Sequence, residues 1–140
     1  MVIMCLKMST LHCCHLTGMM ENDKISKAIH FAKEYLQITH DLKEKQKECI
    51  TKVLSGEDSL AVLPTGYGKS LIYMVLPVCQ DYYYNKDVGT HIVIVVSPLV
   101  ALMEEQMTKM NAYGINAVYI GSTDVEEGMT IILSMYKMYF

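Results

Sequence analysis

The stretch from Ser59 to Cys79 constrains this chain more than any other. A short apolar run, Ser59 to Leu63, meets a turn reading Pro64-Thr65-Gly66-Tyr67-Gly68-Lys69-Ser70, and a long apolar segment from Lys69 to Cys79 follows. That order asks for a strand, a glycine turn and a helix in immediate succession. Glycines at Gly66 and Gly68 let consecutive backbone N–H groups curl round an anion with no Cβ in the way. The helix that starts near Lys69 aims the positive end of its dipole at the same anion. Lys69 would then reach the β and γ phosphates of a nucleotide, and the Ser70 hydroxyl would ligate Mg²⁺.

The flanking sequence extends the pattern. Between Asn22 and Leu36 the apolar residues Ile25, Ala28, Ile29, Ala32, Tyr35 and Leu36 recur at helical spacing. A second helix is expected after Asp41, with Asp41 as its cap, Glu44 completing a capping box and Ser55-Gly56 as its stop. Asp81 to Gly89 is polar and tyrosine-rich and reads as a surface loop, with Tyr82-Tyr83-Tyr84 packed against the body rather than serving as a base-stacking platform. His91 to Val96 carries five β-branched residues in succession, the composition of a strand covered on both faces. Ser97 caps a helix with Pro98 in its first turn, running to Asn111 or Ala112 and stopped by Gly114. Asn116 to Ile120 and Thr130 to Ser134 are further strand candidates. Strands alternating with helices predict an α/β fold with a parallel sheet flanked by helices.

Composition narrows the function. The chain has 140 residues, enough for one domain with a core, and 12 basic against 15 acidic side chains, a net charge of −3. Bulk charge therefore does not hold it to nucleic acid. The alternation of Lys43, Lys45 and Lys47 with Glu44 and Glu48 reads as a solvated helix face. No apolar run approaches a membrane-spanning helix, and a membrane partner is not expected. Five cysteines without framework spacing point to reduced thiols in a cytosolic or nuclear protein. His12-Cys13-Cys14-His15 lacks a second ligand pair at zinc spacing, so residues 1–20 read as an unstructured tail and residues 21–140 as the domain. Lys7 interrupts the apolar start, against a signal peptide. The twelve methionines are expected as core filler.

From about Asp41 to Ser122 the chain resembles the first RecA-like domain of RecQ-family DNA helicases. Leu42 to Ile50 is similar to the family's motif 0, where the resemblance assigns Gln46 to the adenine edge and Lys43 stands where an Arg is usual. Thr65 to Ser70 is a close match to the phosphate loop, with the early glycine at Gly66 rather than at position 63, which is Leu63, as superfamily 2 helicases spell it. Ser97 to Gln106 looks like motif Ia, which implies that Ser97 and Pro98 touch the backbone of single-stranded DNA. Gly114 to Ser122 matches the strand and loop that follow. The resemblance implies binding of ATP or ADP with Mg²⁺ through Gln46, Thr65, Gly66, Tyr67, Gly68, Lys69 and Ser70. It also implies single-stranded or forked DNA as a partner, other parts of a helicase complex as further partners, and a nuclear location, with the cytoplasm as the alternative.

The family's Asp-Glu-x-His box does not occur in the sequence; Asp124, Glu126 and Glu127 lie in a polar stretch with no apolar strand immediately before them. No catalytic residue is therefore assigned. The expectation is a truncated ATP-binding part of a 3′-to-5′ helicase, inactive alone because phosphoryl transfer needs positioned water and charge stabilisation beyond a phosphate cradle. The alternative is a non-catalytic module that binds nucleotide or DNA. A small phosphate-loop kinase is disfavoured, because such an enzyme needs arginines for the transferred phosphoryl group and the chain has none.

Overall fold

The structure, a computed structural model, describes residues 2–6, 18–97, 100–120 and 130–135, with side chains described between 22 and 95 and between 103 and 118. In chain order the elements are β1 (Val2–Leu6), α1 (Gly18–Tyr35), α2 (Glu44–Leu54), β2 (Ser59–Leu63), α3 (Lys69–Tyr83), β3 (Ile92–Ser97), α4 (Val100–Ala112), β4 (Ala117–Ile120) and β5 (Thr130–Met135).

Helix α3 is the centre of the helical layer. Every residue from Ile72 to Asp81 is buried, as a helix apolar on all sides must be. On one flank α1 packs Ile25, Ala28 and Ala32 into the core, with Leu36 just past its end; Ala28 and Ala32 are fully buried. Their small side chains let the helices approach until the Cys79 thiol donates to the Ala28 carbonyl at 3.5 Å. On the other flank α2 contributes Cys49, Ile50, Val53 and Leu54. Helix α4 ends as its Gly114 predicts: Gly114 takes φ +73°, and the Ile115 N–H returns to the Met110 carbonyl at 3.0 Å. Met110 and Ile115 are both fully buried, the apolar contact that accompanies such a helix end.

The strands correct the expected parallel sheet. β1 pairs antiparallel with β2, Val2 opposite Leu63, and β5 pairs antiparallel with both β3 and β4. The second sheet has the order β3-β5-β4, so β3 and β4 run parallel to each other with α4 between them. That βαβ unit is the part of the expectation the fold keeps. β5 reverses because only residues 121–129 separate it from β4, fewer than the dozen or more a parallel crossover needs.

Three local readings also change. Val2–Leu6, placed in a tail by the sequence, forms a strand, because five apolar residues meet an open edge of β2. β3 is not covered on both faces: Val93 is buried, but Ile92 and Ile94 are exposed, like Leu60 and Val62 on β2, whose burial alternates residue by residue. Helix α3 continues through Asp81, Tyr82 and Tyr83 into the expected loop. Asp81 is fully buried because it has donors to satisfy: the N–H groups of Gly89 and His91 at 2.8 and 2.9 Å, and the His91 ring at 2.6 Å. The tyrosines pack as expected, with Tyr82 stacked on Phe31 at 4.9 Å and Lys24 over the Tyr83 ring at 4.6 Å.

Candidate nucleotide-binding site

The phosphate loop lies where the sequence puts it, between the end of β2 and the first turn of α3. Gly66 and Gly68 take φ +79° and +91°, the left-handed region that a side chain disfavours. At Gly68 a side chain would also be crowded, since a Cβ there would lie 2.7 Å from Gln46 Nε2 and the Gln46 amide would have to shift. At Gly66 nothing stands within 4 Å of that position. The Lys69 ammonium folds back over the loop and donates to the Pro64 carbonyl at 2.8 Å and to that of Leu63 at 3.4 Å.

Gln46 ties α2 to this loop. The expected cap, Asp41, instead pairs with Lys33 at 2.6 Å, and α2 begins two residues later with Lys43 as N-cap. Gln46 is then the third helical residue, and its Oε1 accepts from the Lys43 N–H at 2.7 Å, half of a capping box shifted along the chain. Its Nε2 donates to the Tyr67 and Gly68 carbonyls at 3.2 and 2.9 Å. Both amide protons are therefore committed to the loop, and the side chain is 2% exposed. Contact with a base edge would require Nε2 to exchange one of these carbonyls. Lys43 Nζ sits 4.5 Å from the centre of the Tyr67 ring, a cation–π contact in place of the planar stack an Arg would offer.

A cavity of about 340 Å³ opens beside the loop. Gln46, Gly66, Tyr67, Gly68 and Ser70 line it, whereas Thr65 and Lys69 belong to the loop but not to the cavity wall. Sequence reasoning missed four further lining residues: Lys109 in the last turn of α4, Tyr113 just after it, and His40 and Asp41 ahead of α2. Nothing local to those residues signals a site; the chain's folding brings them there. The hydrogen bond to Lys33 holds the Asp41 carboxyl below its ordinary value of 3.8. The loop's glycines, the start of α3 and the Lys69 and Ser70 side chains fit a nucleotide phosphate with its Mg²⁺.

Ser97 is the last residue of β3, opposite Thr130, but its side chain and Pro98 lie outside the described residues. So do Asp124, Glu126, Glu127 and the His12–His15 cluster. Among the described residues no group of three His, Cys, Asp or Glu side chains is placed to hold a metal ion, and no helix is long and apolar enough to cross a membrane.

Comparison with known proteins identifies the family. Residues 43–135 match the family described as DEAD/DEAH box helicase. The chain is 37% identical over 82 residues to ATP-dependent DNA helicase RecQ of Haemophilus influenzae, covering 59% of this chain and 12% of that protein. It is 40% identical over 72 residues to the probable ATP-dependent DNA helicase RecS of Bacillus subtilis, 51% of this chain and 13% of that one. Over 99 residues it is 35% identical to the RecQ-like DNA helicase BLM of Xenopus laevis, 70% of this chain and 7% of that one. The chain thus spans about an eighth or less of the length of these relatives. No solved structure matches it. The match extends from the capping turn of α2 through the phosphate loop to β5, and on it the chain belongs to the DEAD/DEAH box helicases, with RecQ-type helicases among its relatives.

Proposed function

We propose that this chain is the ATP-binding part of a RecQ-like 3′-to-5′ DNA helicase, residues 21–140 forming part of its first RecA-like domain. The observation that carries the reading is the loop itself: two glycines at positive φ, anchored from α2 by Gln46, at the start of a buried helix. The loop N–H groups and Thr65 bind the phosphates, Lys69 supplies a positive charge to them, and Ser70 offers its hydroxyl to the cation. Mg²⁺, when bound, supplies charge neutralisation at the phosphate oxygens. Gln46 holds the loop and meets adenine only by releasing one carbonyl. Ser97 and Pro98 are proposed to hold the DNA backbone, and single-stranded or forked DNA is the proposed polymer partner, with other parts of a helicase complex beside it. The relatives include bacterial and animal proteins, so the nuclear location rests on likeness to the animal ones.

Without an Asp-Glu-x-His box to orient water, the chain is proposed to bind nucleotide without appreciable hydrolysis or unwinding. That missing box also favours the second reading, a non-catalytic nucleotide- or DNA-binding module. The test is Mg²⁺-dependent binding of fluorescent ADP to the purified chain beside Lys69→Ala. Saturable binding lost in the variant, from a chain that circular dichroism shows to be folded, supports the site. Folded protein that binds no ADP refutes it. DNA-stimulated ATP hydrolysis abolished by Lys69→Ala would overturn the inactive assignment.

A further inference from the structure

A nucleotide whose phosphates rest on the loop N–H groups must send its ribose and base into the rest of the 340 Å³ cavity. Beyond the loop that wall turns apolar. Leu71 and Met74 follow Ser70 on α3, three residues apart and so on one helix face, and Tyr113 adds an aromatic ring from just past α4. Tyr113 is 45% exposed, so the core does not use up its ring. Telling adenine from guanine takes a donor and an acceptor on adjacent atoms, because the two bases exchange those roles along the edge. Among the described lining residues only the Gln46 side chain carries such a pair, and it is committed elsewhere. Its Oε1 accepts from the Lys43 N–H, its Nε2 donates to the Tyr67 and Gly68 carbonyls, and it is 2% exposed. The side chains of Lys43 and Lys109 only donate, and that of Asp41 only accepts and is held by Lys33. The two nitrogens of His40 face different sides of its ring.

We propose that the site grips the base by its faces, on Tyr113, Leu71 and Met74, and reads no base edge, so that it takes purine nucleoside diphosphates whichever base they carry. The inference rests on the nucleotide-binding reading above. Stacking on an aromatic ring tolerates any base, because every base has a π face.

The experiment measures binding of ribose-labelled fluorescent ADP and GDP to the purified chain with Mg²⁺, and their displacement by inorganic pyrophosphate. The parent chain is expected to hold ADP and GDP within about fivefold of each other, below the least that an edge-reading pair gives. Tyr113→Ala is expected to weaken both alike, by about fivefold or more, and to leave pyrophosphate, which has no base, unchanged. Tyr113→Phe keeps the ring and should bind as the parent does. A preference above about fivefold for either base overturns the proposal. So does Tyr113→Ala with parent affinity for both nucleotides, or with pyrophosphate weakened as much as they are, which marks a merely structural role. A parent chain that binds pyrophosphate as tightly as nucleotide overturns this inference alone. A folded parent chain that binds neither overturns the nucleotide-binding reading, and this inference with it.

Discussion

Gln46 Nε2 donates to the Gly68 carbonyl at 2.9 Å across 22 residues of chain, so the helix before the phosphate loop holds the loop's last glycine in place. Replacing Gln46 by Ala removes this bond, its partner to Tyr67 and the acceptor for the Lys43 N–H. A loss of about 1–3 kcal/mol in urea denaturation is expected, with ADP affinity falling as the loop loosens. Gln46→Glu should bind ADP no better despite its matching shape, because it sets an acceptor against two carbonyls. Wild-type ADP affinity in either variant would show that the anchor does not matter to the site.

The two loop glycines should respond differently to a methyl group. Both pay for a positive φ, about 1–2 kcal/mol for an L-residue. Gly68→Ala also drives its Cβ to 2.7 Å from Gln46 Nε2, whereas Gly66→Ala meets open space. Gly68→Ala is expected to be the more destabilised and to lose the Gln46 contacts. Thermal melts of the two variants decide it, and equal losses would contradict the crowding at Gly68.

Lys43 and Tyr67 offer a double-mutant cycle. Their cation–π contact at 4.5 Å is expected to couple by about 0.5–1 kcal/mol at this exposed site. Lys43→Ala and Tyr67→Leu should then be non-additive by that amount in ADP binding or stability. Strict additivity would show the contact to be energetically silent.

Asp81→Ala should be the most damaging change outside the loop. It leaves the N–H groups of Gly89 and His91 without their acceptor at the entry to β3. A destabilisation of roughly 2–4 kcal/mol is expected. Asp81→Asn keeps one acceptor oxygen and should cost less. Chemical denaturation of the pair gives the ranking.

Alkaline pH should unfold the chain through two buried protons. Burial pushes the Cys79 thiol well above its ordinary 9.0 and the Tyr73 phenol above its ordinary 10.0. Each folded-state value is raised, so each contribution is complete below the unfolded value. It is lost as pH rises past that value, when the unfolded chain releases the proton first. Stability should therefore decline from about pH 9 with a slope approaching 1.4 kcal/mol per pH unit for each group. Cys79→Ala should flatten the first part of that decline; an unchanged profile would assign the loss to other groups. In acid the sign reverses: Asp41 and Glu48 are held below their ordinary values by lysine hydrogen bonds, so their contributions are present at neutral pH and vanish as pH falls through the folded values.

What the sequence determined by itself was local. The strand at Ser59–Leu63, the glycines of the loop, the apolar run that became α3 and the Gly114 stop of α4 each depend on near neighbours, and each was legible. So was the likeness to helicase motifs, because chemistry at a phosphate needs those residue types in that order. Tertiary structure decided whatever depends on partners far along the chain. Only the family resemblance assigns Gln46 to a base edge, and in the fold its amide protons go to carbonyls more than twenty positions away. Asp81 reads as a loop acid and becomes the buried acceptor for the turn into β3. Lys109 and Tyr113 reach the cavity because α4 returns its last turn there. Strand direction was of the same kind: β-branched residues make a strand, but the short link from β4 made β5 antiparallel. Propensity acts within a few residues, whereas hydrogen-bond satisfaction and burial are settled only when the whole chain has chosen its neighbours.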